Sequence, residues 1–292
     1  MYIYESKTIL TPQNGLNVYR GRTESTITLR DVTGPDALDI GVKTDAAELL
    51  NGVLKKRRGK GIILMGNLGD PYNGLEEEYR IVRHCLQVIE NMDYGVVIST
   101  RSSLIMRDMD ILRNINHKTR VIVEIPFPTA KKKVFDKLEG IGERSDIYRT
   151  TSLAERIKLI EELISEGIDV IVDITPLIPF INDSEDDVYK TLEVLKDAGV
   201  TMIDPGDLKL IIKKSGYDYF TGEFRARFPK EFEAFSKDYD GATELIPQNQ
   251  DVLRKMLTSY CNECGIECDK NKIKGIRRQY VNKTMGEQMS LF

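Results

Sequence analysis

Two groups of residues in this 292-residue chain could do chemistry. The first is a set of carboxylates at or just past the ends of short apolar runs. Asp70 follows "GIILMGNLG", Glu124 lies in "RVIVEI", Asp173 in "DVIVDI" and Asp204 ends "VTMID". A charge set into the end of an apolar strand is costly unless something pairs with it. Several together therefore mark a candidate site, with Asp70, Glu124 and Asp173 as its acid–base candidates. The second group is "CNECGIEC", in which Cys261, Cys264 and Cys268 have Cys-x-x-Cys-x-x-x-Cys spacing. Three thiolates at that spacing could hold a metal. Cys261 and Cys264 also fall near the end of a helical pattern that Gly265 would cap, where small buried cysteines are common. The core reading is favoured, and the metal reading is the lesser candidate. Cys85 sits on an apolar helix face and reads as core, while His84 and His117 read as exposed or capping residues.

The elements that must position these groups are legible from periodicity. Apolar, β-branched runs recur at residues 61–65, 95–99, 120–125, 169–174 and 200–204. Helical patterns follow them at 75–90, near 108–112, at 129–139 and at 185–198. Continuous apolar strands alternating with helices predict a parallel sheet covered by helices. Ser152 and Glu155 form a capping box for a helix whose apolar stripe is Leu153, Ile157, Ile160 and Ile164, and which Gly167 stops. In the helix at 185–198, Val188, Leu192 and Leu195 face the core and Gly199 ends the pattern. A helix is predicted over 249–264, followed by a polar tail. At least five βα units without a dinucleotide glycine fingerprint predict an α/β fold, a (β/α) barrel or partial TIM-type barrel with a helical C-terminal extension. Chemistry in such folds collects at the C-terminal ends of the strands. The domain expectation is 1–215 as partial barrel, 216–268 as helical extension and 269–292 as a basic flexible tail.

Bulk composition narrows the class. At 41% hydrophobic and 30% charged the chain is ordinary for a globular protein with a core. Length alone suggests about two domains, although single (β/α) barrels commonly reach this size. No run approaches the roughly 18 apolar residues that span a bilayer, so no membrane partner is expected. The first ten residues lack a basic stretch followed by an apolar one, which predicts a cytoplasmic protein. Net charge is −4, against a generally nucleic-acid-coating surface. Basic residues are concentrated, however, in "KKRRGK" at 55–60 and at 269–288, where Lys270, Lys272, Lys274, Arg277, Arg278 and Lys283 face only Asp269 and Glu287 in sequence. Both runs read as solvated surface or as phosphate contacts.

Four motifs in order carry a resemblance. "NVYRG" is similar to an Asn-x-Tyr-Arg-Gly lead-in, and "GNLGDPYNGLEEEYRIVR" to a Gly-x-x-x-Asp-Pro-Tyr-x-x-x-Glu segment with a following arginine. The latter is met by Gly66, Asp70, Pro71, Tyr72, Glu76 and Arg83. "STRSSLIMRDMDIL" is similar to a Thr-Lys-Ser strand end, with Arg101 for lysine, followed by Arg-Asp-x-Asp-x-Leu, and "PLIPFINDSED" to a Pro-x-x-Pro-x-Ile-Asn-Asp strand exit. Together they resemble the radical S-adenosylmethionine superfamily in its spore photoproduct lyase-like branch, also described as DNA repair photolyase-like. The resemblance runs over nearly the whole chain. It implies a partial barrel, a [4Fe–4S] cluster, and S-adenosylmethionine bound along Gly66, Asp70, Tyr72, Ser99 and Arg101. For Asp70 and Tyr72 a turn-shaping role is the competing reading.

The family's loop after "YRG" supplies Cys-x-x-x-Cys-x-x-Cys, and the matching positions here are Arg22, Thr26 and Leu29. Cluster irons take thiolate or, rarely, imidazole. None of these three side chains qualifies. Arg20 and Arg22 add positive charge at the barrel mouth, where they would pair with Asp70 or Glu124, or meet a phosphate. The sequence "QMSLF" resembles the peptide by which bacterial replication and repair proteins bind the sliding clamp. Gln288 would set hydrogen bonds, Met289 replaces leucine, and Leu291 and Phe292 would anchor in an apolar pocket. A tail packed on its own barrel is the plainer alternative. The expectation is a degenerate, non-catalytic or regulatory protein associated with a DNA-repair assembly. The alternative is an active S-adenosylmethionine-dependent enzyme, with a cluster on Cys261, Cys264 and Cys268 or polar chemistry at Asp70, Glu124 and Asp173.

Overall fold

A computed structural model describes residues 2–3, 15–16, 19–21, 40–66, 69–139, 151–212 and 214–284. Four short strands come first: β1 (Tyr2–Ile3), β2 (Gly15–Leu16), β3 (Tyr19–Gly21) and β4 (Ile40–Val42). Then follow α1 (Ala46–Lys55), β5 (Ile62–Met65), α2 (Leu75–Tyr79), α3 (Ile81–Asn91) and β6 (Gly95–Ser99). A 3₁₀ turn at Ser103–Asp108 leads into α4 (Met109–Lys118), then β7 (Val121–Pro126), α5 (Lys132–Glu139), α6 (Leu153–Ser165), β8 (Asp169–Asp173), α7 (Glu185–Asp197) and β9 (Ile203–Asp204). The remainder is β10 (Leu210–Ile211), α8 (Tyr217–Arg227), α9 (Pro229–Asp238), β11 (Glu244–Leu245), α10 (Gln250–Cys264) and α11 (Lys270–Arg278).

The main sheet has six strands in the order β2-β5-β6-β7-β8-β9, and every neighbouring pair is parallel. From β5 onward the order follows the chain. Alternation along each strand decides what covers the two faces. Ile63, Met65, Val96, Ile98, Val121, Val123, Ile125, Val170, Val172 and Ile203 enter the main core with the buried residues of α1, α3, α4, α6 and α7. Ile62, Val97, Ile122, Ile171 and Met202 point the other way. They pack with Ile273 of α11, flanked by Leu64, Ile276 and Tyr280. Helices following successive strands thus lie on one face, and among the described residues the late helix α11 packs on the other. That is the winding expected of βα units in a barrel-like sheet rather than of a doubly wound one.

Most expected elements are present, with differences that have local causes. The helix predicted over 75–90 is broken at Arg80, which takes a left-handed conformation (φ 51°). There the buried Glu76 carboxylate accepts the Val82 and Arg83 backbone N–H groups, giving α3 its own cap. The Ser152–Glu155 capping box is formed. The buried face of α6, however, is Arg156, Leu159, Ile160 and Leu163, so the stripe is rotated from the predicted one. Val188, Leu192 and Leu195 are buried as predicted, and so is Cys85. The polar tail is corrected for residues 270–278, which form a helix with Ile273 fully buried. One buried isoleucine among exposed lysines leaves too weak an apolar pattern to announce a helix on its own.

A separate aromatic cluster, Phe220, Phe224, Phe228 and Phe235 with Leu138, Ile178, Leu210, Ile212 and Leu245, holds α8, α9 and the β10–β11 pair. No described helix is long and apolar enough to cross a membrane.

Candidate functional site at the strand ends

The face that α11 covers brings the strand-end carboxylates together. In register, Ser99 is opposite Glu124 and Asp173 is opposite Asp204. Like charges side by side on a sheet repel. The cation that offsets them is Arg277: its Nε donates to Glu124 Oε1, and its Nη2 donates to Asp204 Oδ2 at 2.6 Å. Burial disfavours the Arg277 charge, but the carboxylates of Glu124 and Asp204 outweigh it, so its pKa is raised. Asp204 Oδ1 accepts the Gly206 N–H at 2.8 Å. Asp173 Oδ1 accepts both the N–H and the hydroxyl of Thr175, at 3.0 and 2.6 Å.

Asp70 is engaged by its own neighbours. Its Oδ1 accepts the Thr100 hydroxyl at 2.6 Å and the Tyr72 N–H at 3.0 Å, and its Oδ2 accepts the Arg101 N–H at 2.9 Å. It therefore ties the loop after β5 to the loop after β6. Gly66 allows the close approach on the β5 side: at φ +96° an added Cβ would sit 2.2 Å from the Ser99 carbonyl oxygen. Tyr72 is buried, with its hydroxyl donating to Asp108 Oδ2 at 3.2 Å. Burial, reinforced by the Asp108 and Glu76 charges, pushes its pKa well up. Arg101 lies 3.6 Å from Glu139, which also binds the fully buried Arg156 at 2.9 Å.

The residues of the second and third motifs prove to be one network, and Asn182 of the fourth ties its own loop. Arg83 spans Asp108 and Asp110, and Arg107 pairs with Glu76 at 2.7 Å and with Asp108 at 2.8 Å. Asn182 accepts the Ile178 N–H and donates to the Pro128 and Pro176 carbonyls. An open cleft of about 270 Å³ is lined by Tyr72, Asn73, Ser102, Ser103 and Arg107; Glu124, Asp173 and Asp204 do not line it.

The predicted groups thus divide. Glu124, Asp173 and Asp204 meet on one sheet face, while Asp70 and Tyr72 serve the loops beside it. Cys261 belongs to the core on the opposite, helix-covered side, hydrogen-bonded to the Cys268 thiol. Burial raises the pKa of both thiols, which disfavours the thiolate a metal needs. Among the described residues no group of three or more His, Cys, Asp or Glu side chains could hold a metal ion. Arg22, Thr26, Leu29 and the segment from Gln288 to Phe292 lie outside the described residues. None of Arg22, Thr26 and Leu29, the positions at which the resemblance leads one to expect cluster ligands, offers a thiolate.

Arg277 was missed as a partner of Glu124; the side chains of Arg20 and Arg22, expected beside Asp70 or Glu124 or at a phosphate, lie outside the described residues. The available signal was Ile273, Ile276, Arg277 and Tyr280 at helical spacing, placing a cation on the face that docks.

Spore photoproduct lyase, in a single-substitution variant, superposes on this chain with a TM-score of 0.58. The identity is 12%, covering 91% of this chain and 79% of that one. Spore photoproduct lyase complexed with dinucleoside spore photoproduct gives a TM-score of 0.53 at 12% identity, covering 78% and 67%. A variant with bound AdoMet and the same dinucleoside gives 0.51. The chain therefore has a spore photoproduct lyase-like fold. An uncharacterized protein of Methanocaldococcus jannaschii is 26% identical over 140 residues, 47% of this chain and 49% of that protein. An uncharacterized protein of Mycobacterium tuberculosis is 21% identical over 215 residues, 73% and 60%. The chain spans about half to three-fifths of the length of these curated relatives. No family model matches it.

Proposed function

We propose that this chain is a cluster-free counterpart of the spore photoproduct lyase-like enzymes, built on a partial (β/α) barrel and acting as a non-catalytic or regulatory component of a DNA-repair assembly. The observation that carries the reading is the Arg277 bridge. Two of the strand-end carboxylates, Glu124 and Asp204, are held by one arginine of the chain's own α11. The residue types at positions 22, 26 and 29 support it, because they cannot ligate iron. Asp70 and Asp173 already accept hydrogen bonds from their own loops, so neither stands ready as a general base. Partner binding would fall to the "QMSLF" segment, with Leu291 and Phe292 as anchors for a sliding clamp.

Anaerobic reconstitution with iron and sulfide, followed by an iron count and a visible spectrum, tests the reading. The expected result is no bound iron and no charge-transfer absorption. About four irons per chain, lost in Cys261→Ala, would overturn it and make the C-terminal cysteines ligands. Titration with S-adenosylmethionine on the same sample separates a ligand-binding scaffold from an empty one. Clamp affinity unchanged in Phe292→Ala would remove the tail assignment.

A further inference from the structure

The first basic run and Lys283 of the second stand far apart in sequence, and the fold brings them to one surface. Lys55 at the end of α1 and Lys56, Arg57, Arg58 and Lys60 in the loop after it are all exposed, and the loop leads into β5. The turn after α3 leads into β6, and Lys118 closes α4 just before β7. In a parallel sheet these three connections lie at the amino-terminal end of the strands, opposite the end that bears Glu124 and Asp204.

The turn at residues 92–94 is where they meet. Lys60 Nζ donates to the Met92 carbonyl at 2.7 Å and sits 5.4 Å from the Tyr94 ring, whose hydroxyl donates to the Gly59 carbonyl at 2.8 Å. Tyr280, just past α11, donates its hydroxyl to the Asp93 carbonyl at 2.9 Å. Lys283 follows: its Nζ donates to the Asn116 carbonyl at 2.7 Å, and its backbone N–H donates to the Lys118 carbonyl at 2.9 Å. The carboxylates on this surface are few. Asp93 lies 3.8 Å from Lys118, and Asp169 is matched by Arg120 at 2.8 Å. Lys55, Lys56 and Arg58 have no counter-ion among the described residues.

We propose that this end of the sheet binds the sugar–phosphate backbone of a nucleic acid without reading its sequence. Strands about 4.8 Å apart set the loops entering β5, β6 and β7 in a row about 10 Å long. Cations strung along such a row suit a linear polyanion better than a compact acidic site. The chain as a whole carries −4, so the row is a local reversal of sign that would orient an approaching backbone. The inference goes beyond the reading above: it uses neither the cluster positions nor the "QMSLF" segment, so iron content and clamp binding neither support nor remove it.

The test is fluorescence anisotropy of the full chain with a labelled random-sequence duplex over a series of salt concentrations. The variant is K55E/K56E/R58E, at three exposed, unpartnered positions where folding is undisturbed, as circular dichroism will verify. The control is K158E/K196E/K230E, which makes the same charge change elsewhere. The expected result is an affinity at least tenfold lower in the first variant and within twofold of the parent in the second. The slope of log affinity against log salt should be smaller in magnitude by about 2–3 in the first variant, the contribution of three lost phosphate contacts. Equal losses in both variants, or none in the first, overturn the proposal. So does a chain that ignores the duplex and binds phosphatidylserine vesicles, which would make the face a membrane contact.

Discussion

Arg83 grips two acidic residues at once, Asp108 at 2.9 Å and Asp110 at 2.7 Å. Together with Asp70, Tyr72, Glu76 and Arg107, these side chains lock the loop after β5 against the start of α4. Folding alone is therefore a sufficient reason for these residue types to stand where they do. The Asp110 carboxyl is held down to about 2, chiefly by the Arg83 hydrogen bonds. In the unfolded chain an aspartate titrates near 4. A depressed acid contributes stability that is full above its unfolded pKa and is lost as pH falls through the folded one. Asp110 is more than half exposed, and solvent screening limits the pair to about 1 kcal/mol. Asp110→Asn is thus expected to lower stability by about 1 kcal/mol at neutral pH. The gap to the parent should close as pH falls from about 4 to about 2, as read by urea midpoints across pH. A gap that persists at pH 2 would mean the pair contributes by shape and not by charge.

At the scale of elements, α11 is the decisive piece. It has little apolar surface, yet it covers the sheet face that the other helices leave open. Ile273 and Arg277 attach it by different means: an apolar side chain at the middle of the sheet, and a charge at the carboxyl ends of β7 and β9. Ile273→Ala is expected to cost about 2–4 kcal/mol. Arg277→Met removes the cation that Glu124 and Asp204 share across β8, at a cost of about 2–3 kcal/mol given partial solvent access. Urea denaturation of both variants and of the double variant checks this, with a non-additive sum expected because the two residues hold one helix. Two silent substitutions would show that α11 rests on the sheet without holding it.

Across the whole molecule, the sheet carries an apolar cluster on each face, and a third, phenylalanine-rich cluster lies apart from them. The sheet core is built from β5 to β8 and the helices behind them. Among the described residues, the phenylalanine cluster meets elements and loops preceding β9 through Val134, Leu138, Ile178 and Ile181, with Phe180 against Tyr239. Opening of the phenylalanine-rich unit without the sheet core is the expected consequence. Amide exchange should be slowest in β6, β7 and β8 and faster through α8 and α9. Phe235→Ala should speed exchange across 217–245 while leaving β6 to β8 unchanged. Uniform acceleration through both regions would show a single cooperative unit.

Local pattern was enough for much of this. Apolar β-branched runs commit to buried parallel strands, and Ser152, Glu155, Ser184 and Gly265 terminate helices by hydrogen bonds a few residues long, so those elements were legible from residue types. The identity of the residues at 22, 26 and 29 likewise speaks to iron chemistry without coordinates, because ligand chemistry belongs to the side chain. Glu124 and Asp204 were legible as charges in need of a partner, but the partner was not. Arg277 is distant in sequence from Glu124, and it reaches the carboxylates because α11 packs across the sheet through Ile273, with Ile276 and Tyr280 beside it. The burial of Arg156 against Glu139 has the same origin. Each depends on a group that another segment delivers, and only tertiary packing decides which segments meet.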